Sequence, residues 1–157
     1  MQTWLDYLND KGVHYSWSMH RPAETALDTA HAECMPASEF AKVVVYSGET
    51  GFGMAVVPAD RLADLREIAY LLGVSELRLA TERELVELFP CCELGAMPPF
   101  GDAFNMPVLV DRAVAENKFI VFNIGSHTDA VRMRFDDYRR LMNPLIASLT
   151  ITHAARA

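Results

Sequence analysis

The chain has 157 residues, enough for one ordinary domain, since a chain of that size hides roughly 70% of its extended surface on folding. Hydrophobic residues make up 51% and charged ones 22%, which excludes a disordered chain, and no apolar run approaches the ~20 residues of a membrane helix. The 14 basic against 21 acidic side chains leave a net charge of −7, which excludes coating of nucleic acid by bulk charge and leaves room for a local basic pocket.

The spacing predicts a first helix over Thr3–Asp10, capped by Thr3, with Trp4, Leu5 and Leu8 as its apolar face and Gly12 beyond its end. Val13–Met19 reads as extended. Ala26, Leu27, Ala30 and Cys34 give helical spacing to Glu24–Cys34, which Pro36 stops. Phe40–Ser47 and Gly53–Pro58 are rich in β-branched residues, and Gly48-Glu49-Thr50-Gly51 between them predicts an antiparallel hairpin. Asp60 is expected to cap a helix with Leu62, Leu65, Ile68, Ala69 and Leu72 inward and Gly73 at its close. After a short strand at Leu77–Leu79, Thr81-Glu82-Arg83-Glu84 is a capping box, and its helix ends before Pro90.

Gly95–Gly101 is excluded from regular structure because Pro98 and Pro99 remove two donors and fix two φ angles. Pro107–Val110, Phe119–Asn123 and Ala130–Arg134 read as strands, Asp136–Met142 as a helix, and Leu145–Thr152 as extended. With no repeat, linker or low-complexity tract, residues 1–157 form a single domain of α/β (α+β) class, a mixed sheet wrapped by helices rather than a doubly wound parallel fold. The amino terminus lacks a basic patch followed by an apolar stretch, and the three cysteines, Cys34 and the neighbours Cys91-Cys92, make no C-x-x-C. These point to a soluble cytoplasmic protein with reduced thiols, no disulfide framework and no membrane partner.

Three stations carry chemistry. Strand alternation places Lys42 on one face with Phe40, Val44 and Tyr46, where burial disfavours its ammonium; it either serves an anion or snorkels into a plain ion pair. In Gly95-Ala96-Met97-Pro98-Pro99-Phe100-Gly101, glycines bracket a stiff diproline. The loop either offers amides to an oxyanion or is a rigid turn whose Phe100 plugs the core. Asn123-Ile124-Gly125-Ser126-His127-Thr128 joins two strands, and His127 is either a proton carrier near neutral pH or a solvated turn residue. Arg132 and Arg134 follow on one strand face, as a solvated basic edge or a phosphate-facing patch. Phosphate-loop, dinucleotide, zinc-protease and nucleophile-elbow motifs are absent, and His14, His20, His31 and His153 lack metal-ligand spacing, so no metal is expected.

In this order the stations resemble the YbaK family, free-standing relatives of the editing domain of bacterial prolyl-tRNA synthetases. The likeness runs from about His20 to Leu141. It rests on Ala41-Lys42-Val43-Val44, Ala55-Val56-Val57-Pro58, Leu77-Arg78-Leu79-Ala80-Thr81, Gly95 through Gly101, and Gly125-Ser126-His127 leading into Arg132-Met133. The resemblance implies a mixed, largely antiparallel, barrel-like sheet surrounded by helices. It implies hydrolysis of mischarged aminoacyl-tRNA in trans, without metal or organic cofactor, on the acceptor end and with help from a synthetase or elongation factor. Lys42, Gly95 and His127 then fall at catalytic positions. Thr25, Pro98, Pro99, Phe100, Gly101, Gly125, Ser126 and Arg132 fall at substrate-binding ones. A non-catalytic binder of tRNA ends that keeps the same pocket is the alternative. Val43, where many relatives carry a small polar residue, leaves the amino acid removed unspecified.

Overall fold

The computed structural model describes residues 2–152. The chain opens with α1 (Gln2–Asp10), whose Trp4, Leu5 and Leu8 are buried, then β1 (Tyr15–Met19) and α2 (Ala26–Ala32). Thr25 caps α2 by accepting from the Asp28 amide at 3.0 Å. The β-branched run forms β2 (Ala41–Gly48), and the Gly48–Gly51 turn returns it as β3 (Gly51–Pro58), antiparallel and in register from Ala41–Pro58 to Gly48–Gly51.

The next helix corrects its expected start. A short strand, β4 (Arg61–Ala63), intervenes, and Asp64 rather than Asp60 caps α3 (Leu65–Leu72) by accepting from the Arg66 and Glu67 amides. Both aspartates precede apolar residues, but only Asp64 leaves β4 free to pair. β5 (Leu77–Leu79) follows, then α4 (Glu82–Leu88) with its capping box between Thr81 and Glu84. After the irregular glycine–proline segment come β6 (Val108–Asp111), α5 (Arg112–Ala115), β7 (Phe119–Asn123), β8 (Asp129–Arg134) and α6 (Phe135–Met142). The extended tail divides into β9 (Leu145–Ala147) and β10 (Thr150–Thr152).

The described residues form three sheets. One orders β5-β2-β3-β6-β9, antiparallel through β3 and parallel beyond it; a second orders β1-β8-β7, all antiparallel; β4 and β10 pair alone. A parallel bridge between Phe40 and Val121 joins the first two. The sheets adjoin without closing, so the barrel-like expectation narrows to a mixed α/β fold. Among the described residues no helix is long and apolar enough to cross a membrane.

The two faces of β2 serve different layers, as alternation requires. Ala41, Val43 and Val45 enter the main core with Val56, Phe100, Phe122 and Tyr138. Val44 and Tyr46 pack with Leu65, Ile68 and Leu72 of α3, and Phe40, of the same parity, packs under Ala30 of α2.

Asp111 pins the tail to this frame. It is 2% exposed, accepts from the Leu149 amide at 2.7 Å, the Thr150 hydroxyl at 3.3 Å and the Ala113 amide at 3.0 Å, and lies 3.8 Å from the Arg61 guanidinium. Removing such a buried acceptor strands its donors, each at a cost of about 1–3 kcal/mol. Asp111→Ala is expected to lower unfolding free energy by about 3 kcal/mol in urea titration. A loss under about 0.5 kcal/mol, the ordinary surface value, contradicts this role.

Candidate active site

Three segments distant in sequence are tied together by backbone hydrogen bonds. The Glu93 amide donates to Gly125 O at 2.9 Å and the Gly125 amide to Ala96 O at 2.8 Å, a reciprocal pairing of the glycine–proline loop with the β7–β8 turn. The Ala23 amide donates to His127 O at 3.2 Å and the His20 amide to Thr128 O at 2.8 Å, adding the stretch that leads into α2. Gly95 is exposed at this junction with φ +88°, a left-handed conformation that suits glycine. A Cβ there would lie 3.5 Å from His127 Cε1 and 4.0 Å from Glu24 O. Among the described residues the Gly95 amide donates to no acceptor, so it is available to an oxyanion.

His127 is committed to holding that loop. Its amide donates to Glu93 Oε2 at 2.9 Å, and with Leu94 O 2.7 Å from Nε2 that nitrogen carries the ring proton. Nδ1 is buried without a partner. The ring therefore stands beside Gly95 as a positioning group rather than a solvated turn residue.

Lys42 reaches the same region from the sheet. Its Nζ donates to Ala59 O at 3.4 Å, and Ala59 packs in the cluster under α2. Half-burial pushes the ammonium below the ordinary lysine value, with the Asp60 carboxylate opposing. Lys42 follows the Phe40–Val121 bridge by two residues on β2, and Asn123 follows it by two on β7. Asn123 is 7% exposed; its Nδ2 donates to Thr29 Oγ1 of α2 at 3.4 Å, and its Oδ1 is buried without a partner. The Thr29 hydroxyl proton is spent on Thr25 O at 3.0 Å, so turning the amide round would not satisfy Oδ1. Asn123 thus lies beneath α2 and Gly95 beside its start, while Lys42 is tied to Ala59 of the cluster under that helix. No hydrogen bond or ion pair joins Lys42 to the Gly95 loop among the described residues.

The family model for the aminoacyl-tRNA editing domain matches residues 20–141, the span that holds all of these segments. The chain belongs to the aminoacyl-tRNA editing domain family. It is 31% identical over 100 residues to the "Multifunctional Ser/Thr-tRNA deacylase ProXp-y" of Escherichia coli strain K12, across 63% of this chain and 59% of that protein. The match thus spans about three-fifths of the relative's length. The fold is that of a hypothetical protein, APE2540, at TM-score 0.85 and 20% identity over 94% of this chain and 99% of that one. It is also that of a candidate trans-editing enzyme for prolyl-tRNA synthetase, at TM-score 0.83 and 22% identity over 96% of each chain.

Several expected contact residues of this editing domain have other work. Phe100 is fully buried among Trp4, Tyr7, Phe122 and Tyr138, where it plugs the core. Gly101 is required by packing: a Cβ would meet Met106 O and Val108 Cγ2 at 2.4 Å. Pro98 and Pro99 are buried beneath the loop, and Pro99 O accepts from the Tyr138 hydroxyl at 2.7 Å. Gly125 is buried over Trp4, whose Cδ1 would be 3.1 Å from an added Cβ. Thr25 is exposed and spent on its cap. Arg132 stands apart, over the Phe119 ring at 3.9 Å, lining a hollow of about 600 Å³ at the other end of α2. Burial and the neighbouring Cys91 push the Cys92 thiol up to about 11, which removes it as a nucleophile. Asn123 is the residue that sequence reading passes over, because a polar residue at a strand end looks like part of the turn.

Ser126 is likewise engaged: its hydroxyl donates to Asp129. Burial works against the Asp129 carboxylate, but hydrogen bonds from Ser126, Trp17 and Thr128, with His20 nearby, outweigh it and hold the group below its usual range. Stabilisation from a depressed carboxylate is full above its unfolded value of ~3.9 and disappears as pH falls through the folded value. Asp129→Asn is therefore expected to lose about 1–3 kcal/mol at pH 7, with the gap to wild type closing below about pH 4 in urea titrations. A gap independent of pH contradicts this assignment.

Proposed function

We propose that the protein is an aminoacyl-tRNA deacylase that edits in trans, hydrolysing the ester between a wrong amino acid and the terminal ribose. The 157 residues act as one editing domain in the cytoplasm, on the acceptor end, with a synthetase or elongation factor delivering charged tRNA. The observation that carries the reading is the unengaged Gly95 amide at the clasped junction, within the span of the editing-domain match.

An aminoacyl ester is already activated, so positioning and oxyanion stabilisation supply most of what hydrolysis needs. In the proposed reaction the Gly95 amide polarises the ester carbonyl and the Lys42 ammonium anchors ribose or phosphate. The vicinal ribose hydroxyl orients the attacking water. Water adds to the carbonyl carbon, the ester C–O bond breaks, and the proton gained by the ribose oxygen restores its hydroxyl. The amino acid leaves as the free acid. Seryl and threonyl esters are the first substrates to test: the E. coli relative is named for them, and a buried Asn123 Oδ1 beside Thr29 suits a hydroxyl donor.

Incubation with a panel of mischarged tRNAs is expected to release free amino acid, and binding with no release from any member supports the non-catalytic alternative instead. Lys42→Met separates function from fold. A lysine whose value is lowered in the fold costs stability while it is charged, and the cost fades as pH rises from the folded value towards ~10.4. The variant is expected to lose at least about 100-fold in kcat/KM, equivalent to about 2.7 kcal/mol of transition-state stabilisation. Its Tm at pH 7 is expected to equal or exceed that of wild type. Deacylation within a few-fold of wild type sinks the role given to Lys42.

A further inference from the structure

The hollow of about 600 Å³ beyond the C-terminal end of α2 takes no part in the reaction proposed above. One wall is the sheet face of β7 and β8, with Lys118, Phe119, Val121 and Arg132; the other is the segment that follows α2, with Glu33 and Glu39. Phe119 pairs directly with Arg134, and Val121 with Arg132, so both arginines project from one sheet face beside the ring. The Arg132 guanidinium lies 3.9 Å from the Phe119 centroid and the Lys118 ammonium 5.6 Å. All three cations are exposed, and none pairs with a carboxylate among the described residues.

In a chain of net charge −7, three unpaired cations around one aromatic ring form a local basic field. Glu33 reaches across to β1 of the same sheet, where the Ser18 hydroxyl donates to its oxygens at 3.0 and 2.9 Å. The acid is thereby held over β1, one strand beyond β8, and the cations of β7 and β8 keep no carboxylate partner among the described residues. A flat guanidinium held over an aromatic ring, with further donors beside it, is the chemistry that binds phosphates and stacks bases of a single strand.

We infer that this face of β7 and β8 is the landing surface for the single-stranded 3′ end and first phosphates of an RNA acceptor stem. The inference rests on the deacylase reading, and names the surface by which that site holds its macromolecular partner. Distance supports it. α2 stands between the Gly95 loop and the hollow, and its seven residues span about 10 Å at ~1.5 Å per residue. Val121, midway between Asn123 and Phe119, is packed with Phe40 and Ala30, so the RNA strand crosses outside α2. Phosphates along a stacked strand advance ~3.4 Å each, so a 3′ terminus at the Gly95 loop puts the third or fourth phosphate upstream beside Arg132 and Lys118.

The test is fluorescence anisotropy with an uncharged RNA hairpin ending in single-stranded CCA, titrated over a range of salt, on three full-length proteins. Wild type is expected to bind, with affinity falling as salt rises. The Lys118→Ala, Arg132→Ala, Arg134→Ala triple variant is expected to bind at least about tenfold more weakly. Its slope of log K against log salt is expected to be shallower by about two, at ~0.7 per lost phosphate contact on a single strand. A charge-matched control, Lys11→Ala, Arg66→Ala, Arg83→Ala, removes three exposed cations elsewhere and is expected to stay within twofold of wild type. Failure of wild type to bind the hairpin, an unchanged triple variant, or equal weakening in the control each overturns the inference. Because the hairpin carries no ester, the result is independent of turnover: wild type that binds through this patch but hydrolyses no mischarged tRNA keeps the landing surface and refutes the deacylase.

Discussion

The two-way hydrogen bonding at Gly125 is the constraint on which the site depends. A diproline stiffens its loop, but it contributes no amide by which the loop can be tied down. The ties come from elsewhere: Gly125 donates to Ala96 O and accepts from the Glu93 amide, His127 holds Leu94 O through its ring, and the Tyr138 hydroxyl holds Pro99 O from below. Trp4 of α1 backs Gly125 so closely that an added Cβ would crowd its ring at 3.1 Å. Gly95 is left exposed on a loop whose neighbours on both sides are fixed, which is the condition for a preorganised donor. The same strapping joins the entry to α2 through Ala23, so the helix that roofs Asn123 is referenced to the loop that carries Gly95.

Asn123 and Lys42 show the cost of such a site. A core built for stability alone would place an apolar residue at each position, because a buried orphan carbonyl and a half-buried cation both oppose folding. Here the orphan Oδ1 sits beside Thr29, in the layer where Phe40, Val121 and Ala130 otherwise pack without polar groups. Two strands across the sheet from Lys42, Asp111 settles its buried charge with three hydrogen bonds. The contrast separates a satisfied structural polar group from one held ready for an incoming partner.

What the sequence makes legible follows the range of the physics. The β2–β3 hairpin, the Thr81–Glu84 capping box and the irregular Gly95–Gly101 segment are set by neighbours within a few residues, and each appears where spacing predicts it. The cap at Asp64 is also local, but choosing it over Asp60 depends on β4 finding β10 at the far end of the chain. The Leu145–Thr152 tail is extended as its residues prefer, yet its division between two sheets is decided by Asp111. In the site, the clustering of Gly95 and His127 follows the order of motifs along the chain. The engagement of His127 with Leu94 O, the burial of Phe100 and the orphan Oδ1 of Asn123 depend on partners tens of residues away, which no local pattern encodes.

An acidic chain that handles a polyanion has to separate attraction from chemistry. Exposed charges more than a Debye length apart, ~8–10 Å at physiological salt, act nearly independently. The ~13 Å between Phe119 and Asn123 exceeds that length, so cations at one end of β7 can attract phosphates while leaving the other end electrostatically quiet. That quiet matters to hydrolysis, since a donor such as the Gly95 amide is worth more to a developing oxyanion when no dense positive field already stabilises the ground state equally. Lys42 is the exception, and its half-buried ammonium beside Asp60 is a single, partly compensated charge rather than part of a basic field. On the proposed reading, one antiparallel pair of strands, β7 and β8, carries both duties: their Phe119–Arg134 end serves the strand that is held, and their Asn123–Asp129 end the ester that is cut.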